Sequence, residues 1–539
     1  MSPPATDPVG DAASPPPDRG GDVSPPPDHW RHRPLWLLVL IPLLLLSPPA
    51  WAAAAMIAAA AGATLLAHRT AREPAGRESD AEPAVLLGSE CSGQARGGRG
   101  APVYLSDGQL SAHALILGAS GAGKSTTLLR ILDDNIRRGL PVVAIDMKGS
   151  PQFARALGDG AAAAGRQFEL WTPDGPAHWN PLAYGNATEL KDKLIATERF
   201  TEPHYQRAAE RYVQTVLQVL LERDPGTRPT LAEVVSLMDP RRLAAGLRVA
   251  PRPLAQRVQD YLATMSPDQL SAVRGLGTRL AIISESHTGA YLSAGGERRV
   301  DLRSALEGGP VVAFSLNSSI YGQLAAQLGT LVVQDLISAA GHRLTQPRAD
   351  RALIAIDEFS ALGSDNVIAL LARGREAGTS VLLATQELAD LDRAARGLRD
   401  QVLGNTAVKI AHRQDVPGSA QTIAQMAGTQ TVWDQTHRIE RRPLLGPHNT
   451  GAGTRRQVER FLIHPNVIRT LPTGEAVVIT KLPRAQVRTV RVLAPQARDS
   501  PPRGRDRPPQ ARESPPRGRD RPPPARESPP RDRDGLEPG

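Results

Sequence analysis

One feature restricts the possible folds of this chain more than any other: a glycine-rich loop placed between an apolar run and a helix-like segment. Residues 118–125 read Gly-Ala-Ser-Gly-Ala-Gly-Lys-Ser and satisfy the pattern G-x-x-x-x-G-K-[ST]. That pattern forms a phosphate-binding loop where a buried strand leads directly into a helix. Here Ala114–Leu117 supplies the strand, and helical periodicity begins near Ser125. The context predicts an α/β fold with a mainly parallel sheet, and a simple glycine-rich turn is the alternative.

The loop predicts a site for ATP and Mg²⁺. Its backbone N–H groups would converge on the phosphates, Lys124 would reach the β and γ oxygens, and the Ser125 hydroxyl would ligate Mg²⁺. Because it neutralises phosphate charge, Lys124 is also a catalytic candidate. We expect the nucleotide to be bound by Gly118, Ala119, Ser120, Gly121, Ala122, Gly123, Lys124, Ser125 and Thr126.

An acidic pair follows a second apolar run, at Asp357 and Glu358. A phosphate-binding loop needs such a group at the end of a neighbouring strand, and Asp357 is predicted to hold Mg²⁺ directly or through water. Glu358 comes one residue later, where a carboxylate can orient the attacking water. The pair therefore favours a hydrolase, and an acidic helix N-cap is the alternative.

Two polar residues flank the strand predicted at 381–384. Gln386 follows that strand, and its amide is predicted to sense the γ-phosphate. Arg375 precedes the strand, and an arginine that enters a neighbouring subunit's site would stabilise charge on the transferring phosphoryl group. A surface arginine explains the same residue equally well, so both hypotheses for Arg375 stay open.

Short apolar runs rich in Val, Ile, Leu and Ala predict further buried parallel strands. These strands are expected at 114–117, 142–145, 311–316, 353–356, 381–384, 407–410 and 476–479. Residues 191–291 break the alternation of strand and helix, because they carry helical patterns such as 205–222 and 231–238 and no convincing strand. This segment is predicted to be an all-helical insertion in the α/β domain.

Residues 34–67 contain no Asp, Glu, Lys or Arg, so they must meet lipid or be cleaved. As one helix they would span about 51 Å, well beyond a hydrocarbon core of roughly 30 Å. Ser47-Pro48-Pro49 divides the run into two arms, and arginines flank both outer ends, which predicts a hairpin with both ends cytoplasmic. The alternatives are a cleaved signal peptide and a re-entrant first arm, since that arm has only about 14 residues.

Composition separates the ends of the chain from its middle. Nine of 49 prolines lie in the first 29 residues and thirteen lie from Pro495 onward, which predicts disorder at both ends. The C-terminal end repeats a 14-residue unit from Ala497, Ala511 and Ala525, either as a solvated extension or as a tail that docks a partner. The single Cys91 excludes an intramolecular disulfide.

The balance of charge predicts a polyanionic partner. Lys and Arg outnumber Asp and Glu by 64 to 55, a net charge of +9, which suits nucleic acid or a lipid surface. Aromatic residues make up only 4% of the chain, which argues against base stacking as the main mode of binding. Contacts with the phosphate backbone fit the composition better.

The order of the motifs resembles that of type IV secretion system coupling proteins, the inner-membrane DNA pumps of bacterial conjugation in the FtsK/HerA-like P-loop superfamily. The resemblance covers about residues 85–492. Beyond the loop, the acidic pair and Thr385-Gln386, it rests on Asp146-Met-Lys148-Gly149, Asn180-Pro181-Leu182, Gly374-Arg375-Glu-Ala-Gly378, residues 405–414, His464-Pro465-Asn466 and Leu471-Pro-Thr-Gly474-Glu475.

The resemblance implies a RecA-like motor with an inserted all-α domain, assembled as a homohexamer that passes DNA through its channel. ATP hydrolysis would drive translocation, and the partners would be DNA, relaxase or relaxosome proteins and components of the type IV secretion channel. The protein would be a multi-pass protein of the bacterial inner (cytoplasmic) membrane, with its motor domain and both termini cytoplasmic. The insertion would lie at the cytoplasmic mouth of the ring, where Arg241, Arg242 and Arg248 are candidates for contact with DNA.

Together these inferences predict seven segments. They are 1–33, a disordered Pro-rich N-terminus; 34–67, a transmembrane hairpin; 68–100, a linker; 101–190 and 292–492, the two parts of the nucleotide-binding domain; 191–291, the all-α insertion; and 493–539, a disordered Pro/Arg-rich tail. Two other functions stay open. One is a related pump for double-stranded DNA or for a protein substrate, and the other is a non-motor, nucleotide-dependent membrane scaffold.

Overall fold

The computed structural model describes residues 82–91, 100–198, 200–346, 350–362, 364–442 and 446–495. These residues fall within a compact unit that spans 82–539. The predicted N-terminal segment 1–33, the predicted hairpin 34–67 and nearly all of the predicted tail lie outside the described residues.

Eleven of the described strands form one sheet, in the order β2-β1-β13-β12-β9-β3-β8-β7-β4-β6-β5. Seven neighbouring strands, from β9 to β5, run parallel. The other four, β2, β1, β13 and β12, are antiparallel to their neighbours. The strands of this sheet are β1 Ala84–Glu90, β2 Pro102–Ser106, β3 Ala114–Leu117, β4 Val142–Asp146, β5 Phe168–Trp171, β6 Val311–Ser315, β7 Ala352–Asp357, β8 Thr379–Thr385, β9 Val408–Ala411, β12 Glu475–Thr480 and β13 Gln486–Val492. A separate antiparallel ribbon is formed by β10 Thr429–Arg442 and β11 Gly446–Phe461.

Helices fill most of the connections between the parallel strands. They are α1 Asp107–Ser111, α2 Lys124–Arg137, α3 Pro151–Ala163, α4 Ala187–Ile195, α5 Pro203–Arg223, α6 Leu231–Leu237, α7 Pro240–Gly246, α8 Arg252–Ala263, α9 Pro267–Ser284, α10 Leu302–Leu306, α11 Ser318–Leu344, α12 Ser364–Glu376, α13 Leu388–Ala394, α14 Leu398–Asn405, α15 Pro417–Ala427 and α16 Pro465–Arg469.

Both faces of the sheet are buried, which explains the unbroken apolar runs of its strands. On β3, Ala114 and Ile116 pack into one core with residues of α2 and α3. Leu115 and Leu117 point to the opposite face and pack with α11, α12 and the helices between β5 and β6. A strand covered on both faces needs apolar side chains at every position rather than at alternate ones. The phosphate-binding loop therefore leaves the interior of the sheet.

All seven predicted strands are present, with shifts of one or two residues at some ends. The expectation that all of them are parallel is wrong for the last one, because β12 runs antiparallel to β9 and to β13. The apolar run of β12 reflects its complete burial, which follows equally from an antiparallel strand with both faces covered.

Strand β1 lies inside the segment 68–100 that the sequence predicts to be a linker. It pairs with β13, about 400 residues later in the sequence, and its residues Val85 and Leu87 are fully buried. Composition alone gives no signal for such a distant pairing, because the run is short and ends in polar residues. The sheet therefore begins before Ala101.

The described residues between β5 and β6 contain helices α4 to α10 and no strand, as the helical periodicity predicts. The predicted helices 205–222 and 231–238 correspond to α5 and α6. Arg241, Arg242 and Arg248 are exposed on α7 and the turn that follows it. The division of the chain into separate domains stays a prediction.

A buried polar cluster joins these helices to α11. Asp335 of α11 accepts hydrogen bonds from Lys193 Nζ at 2.7 Å and from Trp179 Nε1 at 3.0 Å. The next residue, Asn180, donates to the Pro229 carbonyl at 3.1 Å and accepts from the Leu182 N–H at 3.0 Å. The Asn-Pro-Leu motif therefore has a structural role, because its contacts hold the helices between β5 and β6 against the core.

Within the residues that the structure describes, one helix, α11, is long and apolar enough to cross a membrane. Its most apolar stretch is 72% buried inside the protein. Leu328, Val332 and Leu336 of this helix belong to the core beneath the sheet. Burial on that scale fits a core helix.

Candidate nucleotide-binding site

The loop between β3 and α2 has the backbone shape that a phosphate cradle requires. Gly121 and Gly123 adopt positive φ angles of 72° and 117°, which side chains disfavour. No side chain caps the N-terminus of α2 at Gly123. The first N–H groups of the helix are therefore not capped by a side chain, and the helix dipole favours an anion at this end. Both properties fit the phosphates of a nucleotide.

Lys124 is a buried cation held between two carboxylates. Its Nζ lies 3.1 Å from Asp357 Oδ1 and donates a hydrogen bond to Glu358 Oε1. Only 5% of its side chain is exposed. The lysine and the acidic pair predicted from separate parts of the sequence therefore meet in one site.

The parallel register brings a third carboxylate to the same edge. Asp146 at the end of β4 is the register partner of Asp357 at the end of β7. Asp146 accepts hydrogen bonds from the N–H groups of Lys148 at 2.9 Å and Ser150 at 2.5 Å. Burial and the nearby Asp357 raise the pKa of Asp146 despite these bonds. Asp146 therefore shapes the turn that carries Lys148.

Glu358 occupies an unusual backbone position beside a second lysine. Its φ of 56° is in the left-handed region, which is uncommon for a residue with a side chain. Oε1 of Glu358 lies 2.6 Å from Lys148 Nζ. Burial alone would raise the pKa of Glu358, but Lys124 and Lys148 outweigh it and hold that pKa below its usual value. Glu358 is therefore ionised at neutral pH.

Gln386 faces the same region from the end of β8. Its backbone carbonyl accepts a hydrogen bond from the Gly118 N–H at 3.1 Å, which fixes the end of β8 against the start of the loop. Gln386 and Glu358 line one cleft of about 400 Å³, together with Ser360, Asp390 and Arg393. Gln386 and the residue proposed to act on water therefore face the same cleft.

A buried histidine supports the loop from behind, and we did not predict it as a site residue. The ring of His412 is fully buried, with Nε2 2.8 Å from Thr127 Oγ1 and Nδ1 2.9 Å from the Glu475 carbonyl oxygen. The Gly474 N–H donates to the Ala122 carbonyl oxygen at 2.9 Å. His412 and Gly474 lie in two segments on which the family resemblance rests, 405–414 and 471–475. The sequence therefore marked both segments but did not indicate what they do.

Arg375 lies near the amino-terminal ends of the parallel strands, whereas the nucleotide site lies at their carboxyl ends. It is in the last turn of α12, just before β8 begins, and it lines a cleft with His113 and Lys409. The carboxyl ends of β3, β7 and β8, where Lys124 and Glu358 lie, are at the other edge. Within one chain Arg375 therefore does not reach the nucleotide site.

The donor set suits Mg²⁺ bound together with phosphates. Ser125 is exposed in the loop, and Asp357 at the end of β7 lies 3.1 Å from Nζ of Lys124, the residue before Ser125. Among the described residues no cluster of three or more His, Cys, Asp or Glu side chains is arranged to hold a metal by itself. Mg²⁺ is commonly held by one or two carboxylates, waters and substrate phosphates, so one hydroxyl and one carboxylate fit it.

Two stretches of the chain match known protein families. Residues 91–243 match the family described as the central domain of helicase HerA. Residues 351–473 match the family described as the TraM recognition site of TraD and TraG. No match was found among curated proteins.

Solved structures with a similar fold include the bacterial conjugative coupling protein TrwBdeltaN70 in an unbound form. The identity is 17% and the TM-score 0.54, covering 74% of this chain and 89% of that one. TrwB in complex with ADP and Mg²⁺ has a TM-score of 0.53 at 17% identity, over 78% and 96% of the two chains. TrwB with the ATP analogue ADPNP has a TM-score of 0.52 at 17% identity, over 78% and 98%.

The sheet, its phosphate-binding loop and the match of residues 91–243 to the HerA central domain support a P-loop protein of the HerA/FtsK class. The later match, to a domain of TraD and TraG, narrows the assignment within that class. Together with the fold shared with TrwB, these findings support a type IV coupling protein. The resemblance drawn from the sequence is confirmed.

Proposed function

We propose that the chain is an ATPase that drives DNA through a conjugative apparatus. The observation that carries this proposal is the meeting of Lys124, Asp357 and Glu358 at the end of the phosphate-binding loop. A nucleotide binder needs only the loop and the lysine. An ionised carboxylate one residue beyond the predicted magnesium ligand adds a group suited to water, which supports hydrolysis.

The geometry suggests an order of events. Phosphates that enter the loop compete with Asp357 and Glu358 for Lys124, and the polyphosphate carries the larger charge. Once Lys124 turns to the phosphates, Asp357 is released to hold Mg²⁺, which would neutralise charge on the β and γ oxygens. Glu358 keeps Lys148 as its partner. Its carboxylate then orients water for attack on the γ-phosphorus and accepts the proton, as the bond to the β–γ bridging oxygen breaks.

The coupling of hydrolysis to DNA rests on the family matches. The domain shared with TraD and TraG, and the fold shared with a conjugative coupling protein, support a homohexameric motor that receives DNA from a relaxase complex. The net charge of +9 favours a polyanionic cargo. We propose a membrane-anchored translocase that hands this DNA to a type IV secretion channel.

DNA-stimulated hydrolysis tests the motor. ATP turnover is measured with single-stranded DNA, with double-stranded DNA and without DNA, and Glu358→Gln serves as the matched inactive control. A motor accelerates several-fold with its preferred DNA, and the preferred form identifies the strand specificity. A flat, slow rate under all three conditions would favour a nucleotide-dependent scaffold.

The membrane anchor is proposed from the sequence of residues 34–67 and from the two arginine-bearing flanks. An alkaline-phosphatase fusion after residue 67 should be inactive and a cytoplasmic reporter at the same position active. The opposite pattern would remove the hairpin topology and favour a cleaved signal peptide.

A further inference from the structure

A cleft of about 570 Å³ opens at the edge of the sheet opposite the nucleotide site. Three cationic side chains line it, Arg375 from the end of α12, Lys409 from β9 and Lys481 just after β12. None of the described residues that line this cleft is Asp or Glu. The cleft therefore concentrates positive charge without a carboxylate to balance it.

Lys409 is the exceptional member of the set. Only 5% of this residue is exposed, although a lysine is rarely buried without a partner. Its Nζ donates to the Thr406 carbonyl oxygen, and the charged group that acts on it is the like-charged Lys481. Burial and then Lys481 lower the pKa of Lys409 to about 8. Among the described residues, no carboxylate pairs with this buried cation.

The other polar wall of the cleft cannot supply that counter-ion. His113 Nδ1 accepts a hydrogen bond from the Val381 N–H at 3.0 Å, so its Nε2 carries the proton and donates to the Leu371 carbonyl oxygen at 2.8 Å. Burial lowers the pKa of His113, and the nearby Arg375 lowers it further. The imidazole is neutral and fully used in holding the wall.

We propose that this cleft, formed by Arg375, Lys409 and Lys481, is a second phosphate-binding site, distinct from the phosphate-binding loop. An arginine fork with two ammonium groups matches the several oxygens of a phosphate better than a single carboxylate. The phosphate would come from a nucleotide held by a second copy of the chain or from the backbone of a nucleic acid. The site is inferred from the charges of the cleft and does not rest on the proposed ATPase activity.

Pyrophosphate is the probe, and the full-length chain carries Lys124→Ala so that the phosphate-binding loop contributes little. We expect pyrophosphate to raise the thermal midpoint by about 2 °C or more. Lys409→Met removes the charge at nearly constant volume and should abolish that rise. Lys191→Met is the matched control, because Lys191 pairs with Asp192 and lies outside the cleft.

Two further measurements keep the test independent of the folding of one variant. Without pyrophosphate, Lys409→Met should melt at a higher temperature than its parent, because an unbalanced buried charge is removed. Lys481→Gln changes an exposed residue and should also weaken the response to pyrophosphate. A rise that survives both substitutions, or no rise in the parent, would overturn the proposal.

Two assays, in a chain that keeps Lys124, identify the source of the phosphate. If Lys409→Met and Lys481→Gln bind a labelled single-stranded oligonucleotide about tenfold more weakly than the parent, with ATP turnover unchanged, the cleft is assigned to nucleic acid. If the same two variants lose turnover at saturating ATP, with nucleotide affinity unchanged, the cleft is assigned to a nucleotide on a second copy of the chain. A failure of the motor proposal would instead show as the absence of ATP turnover in the parent.

Discussion

Lys148 Nζ lies 2.6 Å from Glu358 Oε1, on the same carboxylate that accepts a hydrogen bond from Lys124. The two lysines come from different places, since Lys148 follows β4 and Lys124 begins α2. When phosphates draw Lys124 away, Lys148 can remain and keep Glu358 ionised. The Asp-Met-Lys-Gly segment thus supplies a second cation to Glu358, which its sequence did not reveal.

Replacing Lys148 by Met should move the pH profile of hydrolysis. Lys148 lowers the pKa of Glu358, so its removal raises that pKa and shifts the acid limb of the single-turnover rate to higher pH. The rate should therefore fall more at pH 5.5 than at pH 8. Lys148→Arg keeps the charge and should keep the parental profile. If the pH profile of Lys148→Met does not move, Lys148 does not control the pKa of the proposed base Glu358.

Lys124→Ala and Glu358→Gln should fail in different ways, because the lysine acts on phosphates and the glutamate on water. Loss of Lys124 removes a cation from the polyphosphate and should weaken nucleotide binding as well as turnover. Glu358→Gln keeps the loop intact, so ATP should bind and persist. Nucleotide binding and single-turnover hydrolysis on both variants decide the matter. Parental hydrolysis in Glu358→Gln would make Glu358 structural.

If Arg375 acts on a nucleotide, it should do so only between subunits, because in its own chain it lies at the other end of the parallel strands from the nucleotide site. Arg375→Ala is expected to bind nucleotide and lose hydrolysis by about 10³-fold or more. Mixed with Glu358→Gln subunits it should recover activity, because one subunit supplies the carboxylate and its neighbour the arginine. The measurement is turnover in rings whose mixed composition is verified by mass. No recovery in such rings argues against a role in trans.

Local patterns were enough to predict the central part of the fold. The loop motif, the acidic pair and the apolar runs each depend on residues close together in sequence, and the structure brings Lys124, Asp357 and Glu358 together as expected. A parallel sheet has one carboxyl edge, so motifs that follow separate strands converge there without any long-range information.

Features that depend on contacts between distant segments could not be predicted from the sequence. The pairing of β1 with β13 joins segments about 400 residues apart, and no local pattern encodes it. The β10–β11 ribbon was missed because most of its described side chains are exposed and polar, so apolar alternation is weak there. The role of His412 was invisible for a similar reason, because it depends on Thr127 and Glu475 from two other segments.

His412 should make the fold sensitive to acid. Burial lowers its pKa to about 4, the bond to the Glu475 carbonyl opposes that change, and Lys124 adds to it. An unfolded histidine has a pKa near 6.5, so between pH 6.5 and 4 the unfolded state binds a proton that the folded state does not. Stability is therefore fully present above pH 6.5 and falls as the pH drops toward 4, by up to about 3 kcal/mol.

His412→Gln should flatten this dependence, because glutamine cannot take up a proton and can still accept from Thr127. The variant is expected to be less stable than the parent at pH 7, through lost packing, but to lose less of its remaining stability at pH 5. The measurement is the urea midpoint at both values of pH. His464→Gln is the matched control, because His464 is exposed, and it should keep the parental difference. His113, whose pKa is also lowered by burial, preserves part of the slope in every variant. If His412→Gln loses as much stability as the parent between pH 7 and pH 5, His412 is not the group that titrates.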